Sequence, residues 1–259
     1  MSKSNEPILN KLFTDSNTYT EEAISVNRDE FIKVVNSRRS VRIYDKSKVK
    51  EEDMNKCLEL SLLSPNSSNL QPWEFYWVRD HNKKEKLIDY CLGQPAAKTA
   101  QELIVCVARP DTWKNNSNLM LDMLKDKEIP KAVSTYYTKI VPLAYSQGPF
   151  GIFGVIKKIS TFLIGLKRSI PREPTSLSDM KIWAHKSTAL ACQTLMLSLR
   201  AFGYDSCPME GIDSYKIKKL LKLPKTAQIS MVISAGKRAE NGVYGKRFRL
   251  DKKKFIKII

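Results

Sequence analysis

The chain has 259 residues, long enough for one large domain or two small ones with a sizeable core. Apolar residues make up 42%, so a soluble globular protein is the default, and 44 Lys plus Arg against 27 Asp plus Glu give a net charge of +17. Such a charge favours anionic partners, whether phosphate cofactors, nucleic acid or acidic lipid, or simply a heavily solvated surface. The five cysteines (57, 91, 106, 192 and 207) are odd in number, form no CxxC pair and sit among apolar neighbours. Together with only two histidines, they exclude a disulfide scaffold and a structural zinc site, and they fit buried thiols in a reducing cytosol.

Residues 1–26 are polar and aperiodic and read as an N-terminal extension. The opening MSKSNEPILNKLFTDS lacks the long apolar core of a signal peptide, so the expected location is cytoplasmic. Asn27-Arg-Asp-Glu30 is a capping-box pattern that opens a helix through Phe31, Val34 and Val35. Glu51–Leu63 reads as a second helix with Met54, Cys57, Leu58 and Leu62 on one face, closed by Pro65. Trp73–Val78 is a short aromatic strand, Lys83–Leu92 a charged surface helix, and Leu103–Ala108 a buried strand. Helices are expected around Met120–Leu124 and over Ile129–Tyr145.

The stretch GPFGIFGVIKKISTFLIGL, Gly148–Leu166, has nearly the length of a membrane span. Lys157 and Lys158 sit at its centre, where a charge is costly, and its glycines weaken it as a helix. It reads as an apolar helical flap over a pocket or dimer groove, with an interfacial membrane helix as the lesser reading. Arg168–Ser178, with Pro171 and Pro174, is a loop. Ile182–Phe202 is the strongest helix, apolar nearly all round and therefore central, with Gly203 as its C-cap. Asp213 or Ser214 caps a short helix to Leu221, Ile229–Ala235 is another buried strand, and Phe255–Ile259 is a candidate final strand. Helices and strands mix without a strict βαβ alternation, which points to the α+β class.

Four polar clusters could carry chemistry. SRRSVRIYD brings Arg38, Arg39, Ser40 and Arg42 together as a phosphate clamp, although a solvated helix C-terminus also attracts cations. SPNSSNLQPWEF places Asn66, Ser67, Asn69 and Gln71 between Pro65 and Pro72; amides that donate and accept at once can read the edge of a heterocycle, or merely build Asx turns. CPMEGID, Cys207–Asp213, reads as a sharp turn whose backbone N–H groups could face a ligand, or as an ordinary connection between helices. In GKRFRL, alternation puts Arg247 and Arg249 on one side of an extended segment, suited to a phosphate or to a basic edge strand.

In this order and spacing, the four clusters resemble the nitroreductase family of FMN-dependent oxidoreductases. The resemblance runs from Asn27 to Ile259. It implies an α+β fold with a central, mostly antiparallel sheet flanked by helices, a single FMN-binding domain over 27–259 with a variable helical lid at 110–178, and an intertwined homodimer. It implies that Arg38 and Ser40 hold the ribityl phosphate beside Arg39, that Arg42 reaches the pyrimidine edge, and that Asn66, Ser67 and Asn69 come from the partner copy. Pro208 and Met209 would pack near the ring, the backbone of Glu210 and Gly211 would face its edge, and Arg247 and Arg249 would complete the phosphate site. Where the family often has an Asn that touches the flavin this chain offers Gly93, so Gln94 substitutes or the contact is missing. The activity implied is ping-pong hydride transfer from NADH or NADPH to a nitroaromatic, quinone or related small acceptor. No side chain is assigned as acid or base, with Glu210 the only candidate, and no metal is expected. Trp183, Tyr136 and Tyr137 fit core positions better than a stacking pocket.

Two rival readings remain. One is a basic protein that binds nucleic acid or an anionic membrane surface, supported by the charge and the apolar segment, but its lysines are scattered and no nucleic-acid motif is present. The other is a flavin carrier or sensor without turnover.

Overall fold

The computed structural model describes residues 21–125 and 131–259. Four strands, β1 (Trp73–Trp77), β2 (Glu102–Ala108), β3 (Asp205–Met209) and β4 (Gln228–Gly236), form one sheet in the order β1-β2-β4-β3. Every neighbouring pair is antiparallel, so the architecture is α+β, as expected. The helices are α1 (Arg28–Ser37), α2 (Glu51–Leu62), α3 (His81–Tyr90), α4 (Pro95–Lys98), α5 (Trp113–Leu124), α6 (Lys131–Thr135), α7 (Val141–Tyr145), α8 (Ile152–Ile164), α9 (Leu177–Ala201) and α10 (Ser214–Leu220).

Helices cover both faces of the inner strands, which is why LIVCVA and the end of β4 are apolar without alternation. On one face Val105, Val107, Val232 and Met209 meet Leu87 and Cys91 near α3, Ala97 of α4 and Ile217 of α10. On the other, Ile104, Cys106, Ile233 and Ala235 meet Met54 and Cys57 of α2 and Cys192, Leu195 and Leu199 of α9. A third cluster joins Leu70 and Ala108 to Tyr137, Val141 and Tyr145 of the 110–178 segment and to Met180 and Trp183 of α9. The three aromatics Trp183, Tyr136 and Tyr137 thus belong to packing. All five cysteines are buried and free.

Several boundaries move. In α2 the inward position after Leu58 is Ser61, fully buried with its hydroxyl donating to Leu58 O at 2.6 Å, while Leu62 points out. The long helix α9 begins at Leu177, five residues before the expected Ile182. Its start signal is Ser176, whose hydroxyl accepts from Asp179 N–H at 3.0 Å, with the Asp179 carboxylate accepting in return from Thr175 N–H at 2.8 Å. The expected Ile129–Tyr145 helix contains a π-helical turn, Tyr136–Ile140, between α6 and α7; its first two residues lie outside the described ones. Of the N-terminal extension, residues 1–20 lie outside the described residues, and 21–26 form no regular element.

Two readings are overturned. The expected final strand Phe255–Ile259 does not form: a 3-10 turn at Lys252–Lys254 precedes it, and Phe255, Ile256 and Ile258 are exposed. The edge beside β3 is taken by the segment after α1, and the tail pairs with neither that edge nor the outer edge of β1. Conversely, Cys207–Met209, read as a turn, is the end of β3. Ser206 O accepts from Val41 N–H at 3.1 Å, so the backbone groups of Ser206 point away from β4. By the two-residue period Pro208 faces the same way, and its missing N–H costs the ladder nothing.

Candidate active site

The basic clusters at 38–42 and 245–249 come together. After α1 the chain runs beside β3: Ser40 forms a parallel bridge with Ser206, and Arg42 N–H donates to Gly242 O at 2.8 Å. The C-terminal segment returns over it, with Arg39 Nη2 donating to Gly245 O at 2.6 Å and Arg247 Nη2 donating to Arg38 O at 2.5 Å. Arg38, Arg39, Ser40, Arg42, Arg247 and Arg249 thereby line one cleft of about 280 Å³, and no carboxylate is among its lining residues. The Arg42 guanidinium sits 5.4 Å from the centre of the Tyr244 ring. Burial first, and then the charges of Arg247, Arg249 and Arg39, hold the Arg38 guanidinium below its ordinary value. So many like charges in one small cleft repel one another, and a dianion with several acceptor oxygens would relieve them.

The turn after β3 is tied to α3 and α4. Asp213 N–H donates to Tyr90 O at 2.7 Å, and the Gln94 side-chain amide donates to Cys91 O at 3.0 Å and Gly211 O at 3.2 Å. Gln94 therefore reaches the 210–213 turn, with its amide hydrogens spent on holding it. Met209 is 2% exposed with its side chain in the core, so at the surface of this turn it offers its backbone. Glu210 is exposed, and its charge opposes the burial that lowers the His185 pKa. His185 Nδ1 lies 3.2 Å from Ser230 Oγ. Ser230 is the extra residue of a bulge, because β2 pairs Cys106 with Met231 and Val107 with Ile229. Sequence reasoning passed over His185, which stands beside Lys186, Ser187 and Thr188 in a polar stretch of α9 and so carries no signal of its own.

The SPNSSNLQPWEF stretch is a strained loop. Ser68, Asn69 and Gln71 have φ of 60°, 49° and 45°, values disfavoured for residues with a Cβ. Asn66 Oδ1 accepts from Gln71 N–H at 2.7 Å, and Ser68 Oγ lies 2.7 Å from Tyr136 OH and 3.0 Å from Tyr145 OH. Asn66 is thus used largely within the loop, as the Asx-turn alternative for this stretch expects. Ser67 and Asn69 are exposed. Ser68, absent from the sequence-based site, fastens this loop to the 110–178 segment through Tyr136, Tyr137 and Tyr145, and the Asn116 amide adds a bond to Leu70 O at 2.8 Å.

The nitroreductase family model matches residues 35–237. This chain belongs to the nitroreductase family. A relative from Staphylococcus haemolyticus with an NAD(P)H nitroreductase name is 30% identical over 200 residues, 76% of this chain and 81% of its own. An NADH dehydrogenase of Thermus thermophilus is 27% identical over 217 residues, covering 83% and 90% of the two chains. Among solved structures, an Exiguobacterium sibiricum protein in complex with FMN shares the fold with a TM-score of 0.67 at 23% identity, over 93% of this chain and all of that one.

In this nitroreductase-family chain the family match ends before Arg247 and Arg249, so the C-terminal wall of the basic cleft rests on the chain's own geometry. The cleft and the strained loop also occupy opposite corners. The loop enters β1 at Trp73, beside Ala108 and hence near Gln228. The cleft lies beside Ser206, near Gly236 at the other end. β1 and β3 are the two edge strands, three strand spacings or about 14 Å apart.

Proposed function

We propose that this protein is an FMN-dependent oxidoreductase that takes hydride from NADH or NADPH and delivers it to a small acceptor of the nitroaromatic or quinone type. The observation that carries the reading is the acid-free cleft of guanidiniums and one hydroxyl, whose donor chemistry fits a phosphate monoester. Arg38, Arg39, Ser40, Arg247 and Arg249 would hold that phosphate. Arg42, anchored through its backbone and its stacking on Tyr244, would set a positive charge beside the pyrimidine edge. The backbone of Pro208, Met209, Glu210 and Gly211, steadied by Gln94, would line the ring. Bound FMN supplies the hydride-accepting ring; the chain supplies position and electrostatics. His185, beside Glu210 and turned by Ser230, joins Glu210 as a polar side chain at the ring-proximal turn, and neither is assigned a proton.

The active unit is proposed to be a homodimer. One copy cannot bring Ser67 and Asn69 to its own cleft from the diagonal corner of the sheet, whereas a second copy can. Uncovered apolar residues on Phe31, Ile32 and Val35 of α1, and on Ile182 and Leu190 of α9, give such a pair surface to bury.

Absorbance of the purified protein tests the reading. A flavin spectrum that bleaches under nitrogen on addition of NADH or NADPH, and returns with a quinone, supports it. Failure to retain FMN would overturn the phosphate assignment, and retention without bleaching would leave a carrier rather than an enzyme.

A further inference from the structure

Helix α8 turns its broader apolar side outward. Its body-facing side carries Gly154, Lys157 and Thr161 between the half-buried Phe153 and Ile164. Gly154 is buried against Thr175 O and Gln147 Oε1, so closely that a Cβ there would collide with both. One turn on, Lys157 Nζ donates to Ala144 O at 2.8 Å and Pro174 O at 3.0 Å. At the far end Arg172 donates to Thr161 O at 3.2 Å and Gly165 O at 3.1 Å. The central charge that argued against membrane contact in the sequence is therefore spent on carbonyls of the body.

The opposite side is an unbroken apolar stripe. Ile152, Val155, Ile156, Ile159, Phe162 and Leu163 recur at three- and four-residue spacing, each between 55% and 61% exposed. Phe150, in the turn before the helix, is 98% exposed. Around the stripe stand the exposed cations Lys158, Lys167 and Arg168, and no Asp or Glu occurs from Gly148 to Arg172. Thirteen residues of helix span about 20 Å, short of a hydrocarbon core, and no helix among the described residues is long and apolar enough to cross a membrane.

We propose that the outward face of α8 seats this protein on an anionic lipid surface, with the helix lying in the plane of the interface. The apolar stripe enters the boundary between headgroups and acyl chains while the cationic rim meets lipid phosphates. Charge decides against a second copy as the cover: two such faces packed about a twofold axis would set one cationic rim against the other. An anionic surface neutralises the rim instead. The inference is independent of the flavin site, because no residue of α8 lines the basic cleft.

The test is cosedimentation of the full chain with phosphatidylcholine vesicles and with vesicles in which about a third of the lipid is phosphatidylglycerol. The protein should pellet with the anionic vesicles alone and be released by about 0.5 M salt. Ile156→Glu with Phe162→Glu should lower the bound-to-free ratio about tenfold or more, with an unchanged circular dichroism spectrum. Lys158→Gln, Lys167→Gln and Arg168→Gln together should reproduce the effect of salt. If the Glu pair misfolds, Ile156→Ser with Phe162→Ser serves in its place. Equal pelleting with both lipids, no pelleting with either, or full binding by a folded variant of the stripe would overturn the proposal. So would a stripe variant whose mass by light scattering falls to half that of the wild type, since the face would then belong to a second copy.

Discussion

Arg38 and Arg247 stand 209 positions apart yet share a hydrogen bond, and the crowding of guanidiniums around it has two opposite consequences. With phosphate bound, each cation adds a charge-assisted bond; without it, each adds repulsion. Arg38→Ala or Arg249→Ala should therefore weaken FMN binding by about 1.5–3 kcal/mol, measured by quenching of flavin fluorescence. The same variants without FMN should melt no lower than the wild type, and unaltered FMN affinity in both would sink the phosphate assignment. His185 yields a pH prediction. Burial depresses its pKa below the usual 6.5, so the unfolded chain takes up a proton at a pH where the folded chain does not. The associated stability is complete above the unfolded value and lost as pH falls through it toward the folded one. Melting temperature should drop between pH 7.5 and 5 in the wild type, and the drop should be shallower in His185→Gln. At this scale the arginines and Ser40 were legible because clustered charge is visible in one dimension. The use of Asn66 and of the Gln94 amide was not, since each depends on a backbone group placed by the loop itself.

Helices and inner strands could be read from apolar periodicity because both faces of β2 and β4 are buried and α9 carries a long apolar pattern. The edge strand β3 could not. It contains Pro208, a residue that argues against a strand unless its nitrogen faces outward, and that orientation is fixed only by the segment beside it. The tail at 255–259 misled for the complementary reason: a run of apolar residues broken only by Lys257 promises a strand, but the edge of β3 is already taken by the segment after α1 and the tail does not pair with β1. Helix α8 illustrates a third limit, since its period shows an apolar face without showing which way that face points. Gly154 decides it. Gly154→Ala should push α8 off Thr175 and Gln147 at a cost of about 1–3 kcal/mol. Hydrogen exchange over 152–164 should then quicken while FMN affinity stays unchanged; unaltered protection would show that the close approach does not hold the helix.

For the whole molecule, the uncovered sides of α1 and α9 and the diagonal placement of cleft and loop both call for a second copy. Light scattering of the flavin-loaded protein should give twice the chain mass, and a yellow monomer would refute the shared site. The sequence was informative about class and composition at this scale, but a seam between copies has no signature in a single chain beyond apolar residues left outside.

The diagonal layout also dictates a genetic behaviour. In a proposed symmetric pair, each catalytic pocket borrows its arginines from one polypeptide and its amide-rich loop from the other. Two impaired alleles, Arg249→Ala and Ser67→Trp with Asn69→Trp, should rescue each other when coexpressed at FMN levels too low to fill either variant: mixed pairs inherit one pocket made wholly of sound parts and one made wholly of damaged parts. About half of the assembled pairs would be mixed if association is random, so roughly a quarter of the pockets should regain wild-type FMN affinity. No recovery in tandem-tagged mixed pairs would mean that both corners serve the same polypeptide.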